Sequence, residues 1–385
     1  MSRKWCWLAI CLVILTTSTG CDSSNGDDPG EPDAGDLTDA ADSADVVEDT
    51  DAADAGQQWP EQDQRGEDAL GLEWQMPEAG DDSFSALVAN VGNIDFRRCN
   101  DVAFNLCWTE MEQTIAGRIA ELAPDVVLLQ EVLDPQQCAA VQNPPADHAC
   151  HPDHTANEPS QARRLLGADY TIVCDDRNGY ECVGVRTDVG SIDGCEPGVL
   201  CERSARTAPP VEGCDEGFTL SAVTVHTDAA SFDIVNGHPP SDAGGATEGR
   251  ECRKGYFEHV FGPDASLVTS DKVLVGGDLN FDPFRQSEDY PDVALWSAHV
   301  GLDGPAQAGD SPSFAYHSGI VEHDPPYWTS PISKTTLDHV VSRGLIGRCK
   351  TMGAHPGLAP LDMAVGEQLE RLDHLALWCQ LSFEP

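Results

Sequence analysis

Six apolar runs in this chain each end on a side chain that can do chemistry. SALVANV (Ser85–Val91) carries Asn90, DVVLLQ (Asp125–Gln130) is followed by Glu131, and FDIVNG is followed by His238. VLVGG runs into Asp278 and Asn280, TLDHVV contains Asp338 and His339, and Asp373 and His374 stand directly before LALW. Runs of four to eight apolar residues bounded by polar ones have the length of buried strands. Between the first two, Met111, Ile115, Ile119 and Leu122 share one face of a helix over Glu110–Leu122, which Pro124 stops. Further strands are predicted at Tyr170–Cys174, Cys182–Arg186, Lys272–Val275, Leu337–Val341 and Leu375–Leu381. Phe218–His226 and Ser231–Asn236 read as a hairpin turning near Asp228 and Ala229, and Glu248–Phe261 as a helix. Arg186–Gly217, rich in Cys, Gly and Pro, reads as surface loops. Interleaved strands, helices and hairpins predict a mixed sheet with helices outside, an α/β layered domain.

Strand ends in such sheets are where ligands gather, because the loops there converge on one crevice. Asn, Glu and Asp without cysteine form a hard oxygen set, suited to Mg²⁺, Mn²⁺ or Ca²⁺ rather than zinc. Two imidazoles beside it suit proton transfer or the stabilisation of an anion.

The N-terminus reads as an address. Arg3 and Lys4 precede an apolar run of eleven residues, Trp5–Leu15, too short to span a bilayer. Small residues then lead to Cys21. Residues 1–21 are therefore read as a signal peptide with a lipobox-like cleavage site and Cys21 as the lipidated residue, although Ser18 departs from the usual Leu. Residues 22–82 hold 21 acids against one base, Arg65, with little to bury, and read as a disordered acidic tether. Trp59, Leu70, Leu72 and Trp74 are possible docking points within it. Residues 83–385 form the body.

Twelve cysteines remain in the body, an even number in an exported chain, which predicts up to six disulfides. Cys99–Cys107 and Cys138–Cys150 are the sequence-local pairings. His148, Cys150, His151 and His154 include ligand-type residues, but the surrounding prolines favour a pinned loop over a metal site.

Taken in order, ALVANVGN, PDVVLLQEV, GYECVGV, FDIVNGHPPSD, VLVGGDLNFDP, TTLDHVV and RLDHLAL resemble the endonuclease/exonuclease/phosphatase superfamily of metal-dependent phosphoesterases. The resemblance spans Ser83 to Pro385. It implies a four-layer α/β sandwich, two mixed β-sheets face to face with helices outside. It further implies that Glu131 and Asp373 ligate a divalent metal, with Asn90 near it and Asn93 a rival for that place. Glu181 would orient His238, a donor to the scissile phosphate, for which His226 is a weaker rival. Asp278 would orient or deprotonate the attacking water, Asn280 would hold phosphate, and Asp338 would partner the last histidine, His374. His339 is expected to face outward from Asp338.

The function implied is that of an exported, lipid-anchored phosphodiesterase or phosphatase of the bacterial cell envelope, a monomer working with Mg²⁺, or Mn²⁺ or Ca²⁺. The body carries a net charge of −26, which disfavours nucleic acid held on a broad basic surface. No basic–aromatic cluster is visible; Arg97 with Arg98 and Arg163 with Arg164 are the only candidates, and they read as solvated surface pairs. A nuclease of the same fold is the first alternative, and a non-catalytic binding module the second. Pro325, Pro326, Tyr327 and Trp328 form an aromatic loop that would suit a membrane-inserting rim or one packed on the domain.

Overall fold

The computed structural model describes residues 82–92, 105–175, 181–202, 205–214, 219–242, 246–263, 265–301, 313–318, 328–330, 335–353, 359–362 and 372–384. The leader, Cys21, the acidic tether, Asn93, Arg97, Arg98, Cys99 and Tyr327 with its two prolines lie outside them.

The first sheet is built from β1 (Ser83–Asn90), β2 (Val126–Gln130), β3 (Tyr170–Cys174), β4 (Cys182–Arg186), β6 (Leu200–Glu202), β14 (Leu345–Thr351) and β15 (Leu377–Phe383). Its order is β14-β15-β1-β2-β4-β3-β6. The second is built from β5 (Gly190–Ile192), β8 (Thr219–Thr227), β9 (Ser231–His238), β10 (Val273–Asp278), β11 (Val300–Gly301), β12 (Phe314–Tyr316) and β13 (Asp338–Arg343). Its order is β11-β12-β13-β10-β9-β8-β5, and β7 (Arg206–Thr207) also pairs with β8. Both sheets are mixed: β1/β2 and β9/β10 run parallel, β2/β4 and β10/β13 antiparallel.

Strand periodicity decides what each face meets. In β2, Val126 and Leu128 point at the other sheet, joining Val223, Ile234, Leu274 and Val340 in the inter-sheet core. Val127 and Leu129 point the other way, onto Met111, Ile115 and Ile119 of α1 (Thr109–Leu122) and Leu165 of α4 (Gln161–Leu166). The far face of the second sheet, with Val235, Val275 and Val341, is covered by Tyr256, Phe257 and Phe261 of α5 (Ala246–Phe261) and Val293 and Trp296 of α6 (Pro291–His299). The result is helix, sheet, sheet, helix: the four-layer α/β sandwich. Strands buried on both faces explain why the runs read as continuous apolar stretches.

Some elements were not legible in the residues. The prolines at 152 and 135 start short helices, α3 (Pro152–Thr155) and α2 (Pro135–Ala140), because proline suits the first helical position. The stretch read as loops, Arg186–Gly217, contributes β5, β6 and β7. Helix α6 and edge strand β14 were not expected. The latter carries Arg348 and Lys350, charges that suit an edge.

Five disulfides lie among the described residues: Cys138–Cys150, Cys174–Cys182, Cys195–Cys201, Cys214–Cys252 and Cys349–Cys379. Cys107 is disulfide-bonded as well.

At the end of the second sheet, Gly277 pairs with Gly237. Gly277 has φ of 144°, and a Cβ there would meet the Gly237 carbonyl oxygen at 2.0 Å. Two strands can approach this closely only where one residue has no side chain.

Candidate active site

The inward-facing positions of five strands run out at one end of the sandwich. Ala86 and Val88 lead to Asn90, Val126 and Leu128 to Gln130, Phe232 and Ile234 to Asn236 and His238, and Leu274 and Gly276 to Asp278. Asp338 continues the inward row of Val340, and β10 and β13 place Asp278 directly opposite it. Alternation alone therefore delivers polar side chains from both sheets to one crevice.

Two residues leave the alternation. Glu131 and Asn280 both adopt left-handed backbone, with φ of 59° and 54°. A strand continuing past Gln130 would turn Glu131 toward the helix layer; the left-handed turn brings it back to the crevice. Such conformations are uncommon for residues other than glycine and concentrate at functional sites.

Glu131, His238 and Asp278 each offer a ligand atom within 4.8 Å of the other two. His238 Nε2 is 3.5 Å from Glu131 Oε1 and 3.6 Å from Asp278 Oδ2. Asn90 Nδ2 donates to Glu131 Oε1 and to Asp278 Oδ2, each over 3.0 Å. Its carbonyl oxygen accepts from the Gly92 backbone over 2.9 Å, so in this arrangement Asn90 turns its amide NH₂ to the carboxylates. Asp278 Oδ1 accepts from Asn280 N over 2.9 Å. The Asn280 side chain donates to Pro239 O over 3.0 Å, tying the loop after β10 to the one after His238.

On the opposite side, His374 Nδ1 sits 2.7 Å from Asp338 Oδ2, and its Nε2 is 3.5 Å from Asp278 Oδ2. Asp338 is fully buried and further held by Thr329 Oγ1, which accepts from its backbone N–H. Glu181 is fully buried, 3.8 Å from His238 Nδ1.

The electrostatics follow from crowding acids in a dry crevice. Burial and the neighbouring Asp373 push the Glu131 carboxyl up to about 8. Asp373 is raised by burial, against the pull of His374. Glu181 is held well above the carboxylate range by burial and by Asp175. Burial pulls His238 down from the ordinary histidine value. Burial also disfavours His374 as a cation, but Asp338 and Asp278 outweigh it and hold the imidazole well above that value. Glu131 Oε2, Asp373 Oδ1, Asp338 Oδ1 and both Glu181 oxygens are buried without hydrogen-bond partners.

The described residues to which the resemblance gives a role thus lie at this end of the sandwich. His226 does not: it is exposed at the far end of the hairpin, against Ser231. His339 faces away from Asp338, as strand geometry requires, but it is fully buried among Phe281, Trp296 and Tyr316 rather than turned to solvent. Arg163 and Arg164 are not a solvated pair. Arg164 is bound to Glu112, and Arg163 to the carbonyls of Gly167, Tyr170 and Gly198. His148 and His151 spend Nδ1 on backbone N–H groups and His154 pairs with Glu112, the pinned loop that the prolines suggested. Trp328 is buried. The motif reading passed over Gln130 and Asn236; the available signal was a polar residue at an inward position of an apolar strand.

No family model and no curated protein matches the chain. Solved structures of similar fold exist at low identity. A humanized D. rerio TDP2 covers 78% of this chain and 99% of its own, at 12% identity and a TM-score of 0.48. The human Nocturnin catalytic domain with bound sulfate covers 78% and 93%, at 13% and 0.47. An endonuclease/exonuclease/phosphatase from Bacteroides vulgatus covers 78% and 99%, at 11% and 0.41.

Proposed function

We propose that this chain is a divalent-metal-dependent phosphoester hydrolase of the endonuclease/exonuclease/phosphatase superfamily, exported and anchored through a lipid on Cys21. One observation carries the reading. Glu131, Asp278 and His238 converge in a crevice, Asp373 acts on Glu131 from beside them, and Glu131 Oε2 and Asp373 Oδ1 are buried and unpartnered. Buried carboxylates crowded beyond what one imidazolium offsets are costly, and a hard cation among these oxygens removes the cost. The donor set fits Mg²⁺, Mn²⁺ or Ca²⁺, which Glu131 and Asp373 would hold, with Asn90 beside them.

When bound, the ion neutralises phosphoryl oxygens and stabilises charge as it develops. The other roles belong to side chains. Asp278, fixed by Asn280 N and Asn90 Nδ2, orients a water and takes its proton. His374, kept cationic by Asp338, donates to the phosphate as negative charge builds. His238, backed by Glu181, donates from the opposite sheet. Asn280 lines the phosphate position. These groups are preorganised in a water-poor crevice, where their fields act at greatest strength.

Five disulfides support an oxidising compartment. The acidic body supports a small or lipid-borne phosphoester over a nucleic acid. The test is turnover by the oxidised full chain with Mg²⁺, Mn²⁺ or Ca²⁺. Substrates are plasmid DNA, sphingomyelin vesicles and a panel of phosphomonoesters. Cation-dependent turnover lost in both Glu131→Ala and His374→Ala supports the reading and names the ester. DNA cleavage in that pattern selects the nuclease instead. Activity surviving in both variants refutes the site.

A further inference from the structure

The interface between the two sheets is lined by Val, Ile, Leu and Phe, yet two fully buried amides meet in it, Gln130 of β2 and Asn236 of β9. Gln130 Nε2 donates to Asn236 Oδ1 over 2.6 Å. Asn236 Nδ2 then donates to two carbonyls of the first sheet, Leu129 O at 3.0 Å and Cys182 O at 3.1 Å. Leu129 and Cys182 are register partners across β2 and β4. One side chain from the second sheet thus closes the end of a ladder in the first.

What lies just beyond that closure gives the contact its meaning. Glu131 follows Gln130, Glu181 precedes Cys182, and His238 stands two residues after Asn236 on the same face. Apolar contacts hold two sheets together but tolerate sliding, since they have no direction. Hydrogen bonds from one amide to two strands have fixed length and angle, so they set the offset between the sheets. Buried amides cost desolvation unless bonded, and an apolar pair of similar size would serve adhesion as well. What the amides add is register.

We propose that Asn236, supported by Gln130, is a positioning residue that sets Glu131 and Glu181 of the first sheet against His238 of the second. This rests on the reading of the crevice as a metal-dependent phosphoesterase centre.

The experiment uses the full chain as Asn236→Leu and Gln130→Met. Mn²⁺ affinity is read by calorimetry, the imidazole resonances of His238 and of remote His259 by NMR, and folding by thermal melting. The expected result for Asn236→Leu is a cooperative melt, a tenfold to hundredfold loss of Mn²⁺ affinity, a moved His238 resonance and an unmoved His259. A folded variant with wild-type Mn²⁺ affinity and an unmoved His238 overturns the proposal. Should Asn236→Leu fail to fold, Gln130→Met decides by the same criteria, since it removes the donor that holds Asn236 Oδ1 and with it the orientation of the Asn236 amide. Wild-type protein that binds no Mn²⁺ would instead sink the functional reading, and the His238 resonance alone would then decide this one.

Discussion

His374 and Asp338 share a hydrogen bond of 2.7 Å that joins the chain entering the last strand to the first residue of β13. Asp338 is the strongest influence holding the His374 imidazole above its ordinary range against burial. Asp338→Asn keeps the shape and removes the charge. Turnover should fall by roughly 10²–10⁴, the usual worth of a positioned acid. The alkaline limb of the rate profile should also move to lower pH, because a histidine with a lowered pKa loses its proton earlier. A profile of kcat against pH for both proteins checks this; an unmoved limb would mean that His374 is not the group reporting.

Glu131→Gln replaces a crowded acid with a neutral isostere. The Glu131 carboxyl, pushed up to about 8, is disfavoured as an anion until a cation arrives. The variant should therefore lose Mn²⁺ binding at least tenfold while its melting temperature holds or rises in the absence of metal. Calorimetry beside thermal melting decides it. A large destabilisation would assign Glu131 to the fold instead of the ion.

His317 gives a pH test away from the crevice. It is buried, with Nδ1 at 3.0 Å from Gly347 O and Nε2 at 2.6 Å from Ser342 Oγ, and burial pushes it from 6.5 down to about 4. Between those values the unfolded chain holds a proton that the folded chain does not. Stability should be full above about 6.5 and fall as the pH drops toward 4, by up to about 3 kcal/mol. His317→Gln should flatten that part of the curve in urea unfolding followed across pH. Parallel curves would refute it.

The disulfides close loops of different size, and the larger loop restrains the unfolded chain more. Cys214–Cys252 spans 38 residues and Cys195–Cys201 spans 6. Replacing the first pair with serine should cost about 4 kcal/mol and the second about 2 kcal/mol on the loop-entropy relation. Urea midpoints of the two double variants test the ranking, and the reverse order would point to native packing as the larger contribution.

The sandwich was legible because strands buried on both faces read as unbroken apolar runs, and because DVVLLQ and VLVGG deliver acids at their ends. The described residues to which the resemblance gives a role all gather where the alternation runs out. What the residues did not disclose was conformation that depends on the partner sheet. The Gln130–Asn236 contact joins segments more than a hundred residues apart, and no local pattern encodes it or the left-handed turn at Glu131. His339 shows the same limit. Period two placed it opposite Asp338, but Trp296 of α6, an unforeseen helix, together with Phe281 and Tyr316, explains why that side is dry.

The contact between Gly237 and Gly277 is bare peptide against bare peptide, one residue before His238 and Asp278. A contact without side chains offers mutation nothing to trim and nothing to exchange; it can only be added to. The smallest addition, a methyl group at position 277, meets a carbonyl oxygen at 2.0 Å. It would wedge β9 from β10 and carry His238 and Asp278 apart. Position 277 thus has no freedom to take a side chain, although it lends the crevice none of its own.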